Sequence, residues 1–288
     1  MTGRSQGTAA VMPHASVTAQ TPPPAVMSRP LAAFGLVIGL TAPFSIVYWN
    51  LRVRAEWIAM FPDQAAVQPP TISRAISVPE IGAPFAFWIT IFSVVMLFNA
   101  CVIGLLYART VAATPAADAR DRRRLTIRAV LLAAIQLPVS AGMVILSVFN
   151  LGPHTDLHMF GSYLMFISAS LAQFANIAAA TAVLALMRHD MAMRDRGLID
   201  PRAARFRIWF SGAAIATAIF YLALFIAKDT SLRSDALYFT YVTTEEVLIA
   251  LLMSIQVLHA IDFWHILSGR RGRYPEASGT PSGTAEAR

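Results

Sequence analysis

Apolar residues fall into six long runs, near residues 31–50, 85–108, 127–149, 160–187, 207–227 and 240–267. An α-helix needs about 20 predominantly apolar residues to cross the roughly 30 Å hydrocarbon layer of a bilayer. The spacing predicts six transmembrane helices in an all-α polytopic bundle. Residues 29–268 form that domain, between disordered tails at 1–28 and 269–288. Residues 1–28 are rich in Pro, Ala, Thr and Ser and lack the charged and apolar regions of a cleavable signal peptide.

Polar positions assign a direction to the runs. The 109–126 connection holds Arg109, Arg120, Arg122, Arg123 and Arg124; the 188–206 connection holds Arg188, Arg194, Arg196, Arg202 and Arg205; the C-terminal tail holds Arg270, Arg271 and Arg273. With six crossings these sets share one side, and cytoplasmic ends carry the Lys/Arg excess. Both termini are therefore expected in the cytoplasm, with 51–84, 151–159 and 228–239 on the opposite face. Arg52, Arg54 and Arg74 on the long 51–84 loop dissent mildly. Tyr48, Trp49, Trp57 and Trp88 on one side, and Trp209 and Trp264 on the other, are expected in interfacial aromatic belts.

Composition agrees: 56% of the 288 residues are hydrophobic and 14% charged, against about 25% charged in soluble domains. The net charge of +7 sits in the connections, without aromatic interleaving, so no nucleic-acid partner is expected. Lys228 is the only lysine, a bias that a GC-rich, bacterial genome would produce. The expected location is the cell (inner) membrane in a bacterium, or an endomembrane in a eukaryote. Cys101 stands alone, which excludes an intramolecular disulfide.

Pro43, Pro138 and Gly142 are expected to interrupt helices, a break that bilayers tolerate when neighbours re-satisfy the backbone. Ser168, Ala172, Asn176 and Ala180 form a small-residue ridge at i+4 spacing, and Gly212 and Ala216 begin a second; such ridges let helices approach closely. There is no evident internal repeat to suggest an inverted-repeat transporter.

Three polar clusters could carry chemistry. In the first long loop, Ser77 and Glu80 fit a capping box with Pro79 in the first turn. That leaves Thr71-Ile72-Ser73 unexplained. The second cluster is Asn150-Leu-Gly-Pro-His154-Thr-Asp156-Leu-His158, with a helix start expected near Asp156. His154, Asp156 and His158 are metal-competent types, but no H-E-x-x-H motif accompanies them and no metal is assigned. The third cluster lies on the sixth run. Glu245, Leu252, Gln256 and His259 share one helical face and Glu246 lies on a neighbouring stripe. Ionisable residues inside a membrane segment mark functional sites by default. Arg54, Arg74, Lys228, Arg233 and the histidines are possible partners for the glutamates. His259 and Asp262 read as a polar helix end. No nucleophile elbow, phosphate loop or dinucleotide fingerprint appears, and no cofactor follows from the sequence.

These segments, in this order, resemble the DRAM/Frag/Sfk family of six-helix membrane proteins. The resemblance rests on Thr71-Ile72-Ser73, Pro79-Glu80 and Phe85 in the first loop, Asn150 closing the third helix, and His158 opening the fourth with Gly161 three residues on. It also rests on an acidic residue, Glu245 by spacing, and Asp262-Phe263 on the sixth helix. The resemblance spans about residues 31–264 and implies a lipid-linked role, with membrane lipids as partners. Candidate lipid- or ligand-binding residues are Ser73, Glu80, Asn150, His154, Asp156, His158 and Glu245. The leading expectation is a multi-pass protein that binds, remodels or organises lipid through a polar site on its outer face. The alternative is a membrane-embedded lipid hydrolase or acyltransferase with His158, Glu245 and Glu246 as catalytic candidates. A transporter comes third.

Overall fold

The computed structural model describes residues 27–112, 118–189, 194, 197–232 and 234–271. Most of both expected tails, residues 1–26 and 272–288, lies outside the described residues, as do Arg196, Arg233 and Arg273. Among the described residues the helices are α1 (Arg29–Met60), α2 (Pro62–Val67), α3 (Ile72–Ala75), α4 (Pro79–Ala112), α5 (Ala119–Ala134), α6 (Gln136–Val148), α7 (Thr155–His189), α8 (Pro201–Ala227) and α9 (Asp235–Leu267). Among the described residues six spans are long and apolar enough to cross a membrane: α1, α4, α5 with α6, α7, α8 and α9. The chain is an integral multi-pass membrane protein by helix length and hydropathy.

Most spans extend well beyond the apolar runs, because hydrophobicity marks only the segment that meets lipid. A helix continues through its polar ends while the backbone ladder persists and no breaker intervenes. Thus α1 runs through Arg52 and Arg54 to Met60 and removes ten residues from the expected loop. Pro43 stays inside α1 and Gly142 inside α6; neither interrupts its helix. The break in the third span falls at Ile135, three residues before Pro138. Pro138 has no N–H for the Ala134 carbonyl, so the ladder loses a rung there.

Consecutive spans pack as neighbours. α1 lies against α4, α4 against α5 and α6, these against α7, α7 against α8, and α8 against α9, which closes the ring on α1. α9 also touches α4 and α7 and has the most buried apolar window, whereas α8 has the least buried one. The α6–α7 contact is made backbone to backbone by two glycines. A Cβ on Gly142 would lie 2.5 Å from the Met165 amide nitrogen, and one on Gly161 would lie 2.6 Å from the Leu146 amide nitrogen.

Of the two small-residue ridges, only the first is interior. Ser168, Ala172, Asn176 and Ala180 are buried, and the Asn176 amide donates to Ser211 Oγ across to α8 at 3.0 Å. Gly212 and Ala216 face outward instead; Ala203, Ala204, Arg207, Ser211 and Ala214 form the buried stripe of α8. The aromatic belts also need correction. Tyr48, Trp88, Trp209 and Trp264 are exposed, but Trp49 and Trp57 belong to the core. Trp49 stacks on Trp88, and the Arg74 guanidinium covers Trp57 at 4.8 Å.

Candidate functional site at the loop end

The end of the bundle that carries the 61–78 loop and the 149–154 and 228–232 turns is the loop end. There the first loop folds inward rather than out into solvent. Thr71 caps the short helix α3 by accepting from the Arg74 amide at 3.2 Å. Ile72, Ala75 and Ile76 are buried beneath it. Arg74 donates to the side chains of Gln64 and Gln68, each at 3.3 Å, which ties α3 to the α2 segment. The expected capping box does not form. Ser77 Oγ donates to the Ser73 carbonyl at 2.8 Å, and the Ile81 and Gly82 amides at the start of α4 donate to the Val78 carbonyl.

Two spans grip α3. From α9, the buried Glu245 carboxylate accepts from the Ile72 amide at 3.2 Å. From α7, the fully buried His158 places Nε2 2.8 Å from Ser73 Oγ and Nδ1 2.8 Å from the Phe149 carbonyl oxygen. A carbonyl only accepts, so Nδ1 carries the proton. Nε2 of the neutral ring is then the acceptor and the Ser73 hydroxyl donates. The Gly142–Gly161 contact explains the reach: it brings the start of α7 against the end of α6, where Phe149 presents its carbonyl.

The remaining candidates separate by environment. Glu245 is the deeply buried glutamate; Glu246 is half-buried and pairs with Arg54 at 3.1 Å. Arg54 also donates to the Val242 carbonyl at 3.4 Å. Lys228 pairs with Asp229 at 2.5 Å and lies over the rings of Phe225 and Tyr241. Glu80, His154 and Asp156 are exposed, and α7 begins at Thr155, so Asp156 sits in its first turn while His158 points inward. His154 packs edge-on against Phe149. Asn150 is partly buried with its Oδ1 unpartnered. Among the described residues no group of three His, Cys, Asp or Glu side chains could hold a metal ion.

Ser73 and Glu245 both border a cavity of about 950 Å³ that extends along α7, α8 and α9. Its polar end includes Gln68, Thr71 and Lys228; its length is walled by Phe166, Leu171, Phe174, Ile219, Leu222 and Phe225. Phe166, Tyr221 and Tyr241 stack in series along one side, with the two tyrosine hydroxyls 3.2 Å apart.

No protein-family model, curated protein or solved structure matches this chain.

Sequence reasoning missed a second polar cluster at the opposite, arginine-rich end. His259 and Asp262 are not a polar helix terminus; they are fully buried with Arg207 of α8 and Tyr107 of α4. Arg207 bonds Asp262, and donates to the Tyr107 oxygen and the Leu258 carbonyl at 3.4 Å. His259 Nδ1 faces the Ile255 carbonyl at 2.8 Å and its Nε2 faces the Tyr107 hydroxyl at 3.2 Å. Asp262 also accepts from the Asp200 amide at 2.8 Å. The available signal was the stripe Ala203-Ala204, Arg207, Ser211, Ala214, which puts an arginine on the same face as small residues.

A third polar layer lies between the two ends. Asn99 donates to Gln256 at 2.5 Å, and Gln256 reaches the Met96 carbonyl at 3.3 Å and Gln136 at 3.5 Å. Leu248, Ile249, Leu252 and Met253 occupy α9 between Glu245 and Gln256, packed among Ile89, Met96, Met143 and Met165. An apolar layer thus separates the loop-end site from the middle one.

Proposed function

We propose that this protein binds a membrane lipid laterally, with the acyl chain along the α7–α8–α9 cavity and the head group at the Ser73 end. The observation that carries this reading is the cavity itself: about 950 Å³, apolar along its length and polar at one end. A lipid chain entering from the bilayer would meet Phe166, Leu171 and Leu222. A phosphate or hydroxyl head would meet Lys228, Gln68, Thr71 and Ser73. The arginine bias of the connections favours a cytoplasmic arginine-rich end and cytoplasmic termini. The loop-end mouth then serves the outer leaflet. The resemblance to the DRAM/Frag/Sfk family supports a lipid-linked role, because its shared motifs include Ser73, His158 and Glu245. The apolar layer between Glu245 and Gln256 favours a binding site over a transport path.

The test is photocrosslinking of the purified full chain in nanodiscs, with a phospholipid carrying a diazirine midway along its acyl chain. Labelled peptides are expected from α7 and α8 around Leu171 and Leu222. Ala218→Trp, which fills the cavity from α8, is expected to lower labelling about tenfold. Labelling scattered evenly over the lipid-facing surfaces, unchanged by Ala218→Trp, would refute the reading.

A further inference from the structure

We propose that Ser73 is an acyl-accepting nucleophile, activated by His158, and that the lipid taken into the cavity is a fatty-acyl ester. The inference rests on the lipid-binding reading above and adds a reaction to it. Three observations converge on Ser73. Its hydroxyl donates to His158 Nε2 at 2.8 Å. The imidazole is held in the base tautomer by the Phe149 carbonyl, 2.8 Å from Nδ1. The same serine lines the long apolar cavity, beside the point where Glu245 fastens the neighbouring Ile72 amide. Nucleophile, base and a third group that orients the base form the arrangement expected of an activated serine. The backbone carbonyl takes the orienting part that a carboxylate takes in the Ser-His-Asp triad.

The cavity specifies the substrate class. An apolar trough that begins at the nucleophile presents the carbonyl at the head of an acyl chain. Ser73 Oγ attacks that carbonyl carbon and its proton passes to His158 Nε2. The bond from carbonyl carbon to alcohol oxygen breaks, and the departing alcohol takes the proton from His158. In the second half, water or the hydroxyl of another lipid attacks the Ser73 ester and gives its proton to His158. The Ser73 oxygen leaves and recovers that proton. Nothing is oxidised or reduced, and the only co-reactant is water or an alcohol. Glu245 acts as a positioning residue: it holds α3, and hence Ser73, against the cavity.

The test uses the purified full chain in nanodiscs and a fluorophosphonate with a long alkyl chain, read by intact mass and peptide mapping. One adduct is expected, on Ser73. Ser73→Ala is expected to abolish it, and His158→Gln to slow its formation at least about a hundredfold, the usual scale of general-base assistance. Thermal melting of each variant checks folding. Ser73→Cys supplies a second readout: its thiol is expected to react with a long-chain iodoacetamide faster than Cys101 does. A phospholipid with a labelled acyl chain then separates release of free fatty acid from transfer to a second lipid. Absence of an adduct on the wild-type protein, or an adduct that survives Ser73→Ala, overturns the inference. Photocrosslinking in the same preparation keeps the two readings apart. A protein that captures the diazirine lipid but leaves the fluorophosphonate unreacted binds lipid without this chemistry; one that does neither fails both.

Discussion

The two ends of the bundle each contain a buried histidine with the same bonding pattern. His158 has Nδ1 on the Phe149 carbonyl and Nε2 on the Ser73 hydroxyl; His259 has Nδ1 on the Ile255 carbonyl and Nε2 on the Tyr107 hydroxyl. The surroundings differ. Tyr107, Arg207, His259 and Asp262 are all sealed from solvent and bond one another. Ser73 opens onto a cavity large enough for an acyl chain. A histidine with a hydroxyl partner is therefore not a functional signature in this protein. Access is what separates a group that can react from one that ties helices together.

The largest expected effect breaks the sealed end. Arg207→Met leaves Asp262 buried without its cation, and removing one partner of a buried ion pair costs about 3–5 kcal/mol. Reversible unfolding in mixed micelles should show that loss. The double variant Arg207→Met with Asp262→Leu should recover part of it, because apolar packing replaces the pair while the Asp200 amide loses its acceptor. If the single variant is as stable as the parent, the sealed cluster is not a structural tie. Ser73→Ala, by contrast, should lose only about 1–3 kcal/mol, the cost of leaving the buried His158 Nε2 without its hydroxyl partner.

Next in size is the glycine contact that holds the open end in shape. Gly161→Val would drive a branched side chain into the Leu146 backbone, already 2.6 Å from the position of a Cβ. Overpacking of this kind costs about 1–3 kcal/mol, and here it also pushes α7 away from Phe149. The expected result is a less stable protein whose Ser73 no longer reacts with the fluorophosphonate. Gly212→Ala, where nothing lies within 4 Å, should leave the adduct unchanged and destabilise nothing, with a gain of at most about 1 kcal/mol from helix propensity.

The contrast between the ends also shows what could be read from residue order. Six spans were legible because lipid imposes a length and an apolar content on each helix. The shared face of Glu245, Leu252, Gln256 and His259 was legible because helical periodicity is local; all four are buried. The break near Pro138 was legible, but Pro43 and Gly142 were not separable from it, since a membrane helix tolerates such residues when neighbours are in place. Ser73 could be named as a candidate but not paired. Its contact with His158 crosses 85 residues of sequence and depends on how α3 folds inward. Arg207 was hidden for a related reason: its partner Asp262 lies on a helix 55 positions away.

A smaller effect probes the second grip on α3. Glu245→Leu removes the acceptor for the Ile72 amide, and an unsatisfied buried donor costs about 1–3 kcal/mol. Glu245→Gln keeps an acceptor oxygen there and should be close to neutral in stability. If Glu245 positions α3, the Leu variant should slow the Ser73 adduct far more than the Gln variant. Equal slowing by both would instead assign the role to the carboxylate charge.

The smallest effect concerns the polar rim of the sealed end, where Asp200 accepts from the Arg202 and Ala203 amides at 2.6 and 3.2 Å and lies 3.4 Å from Arg271 and His265. Partial burial works against its charge, but these amides and the neighbouring Arg271 and His265 outweigh it and hold the carboxyl below its usual range. A carboxylate with a depressed folded-state pKa stabilises the fold fully above the unfolded-state value of about 3.9 and loses that contribution as pH falls through the folded value. Acidification below about pH 4 should therefore loosen the start of α8 and the end of α9. Hydrogen exchange should show this as faster exchange at Arg202, Ala203 and Ala204, with the loop end unaffected. Asp200→Asn should remove the dependence. The Arg207–Asp262 pair beneath the rim should keep its protection over the same range, because it is sealed from the solvent that titrates Asp200. A loss of protection at both places together would mean that the rim and the sealed cluster open as one unit, and the distinction between the two ends would then lie in cooperativity as much as in access.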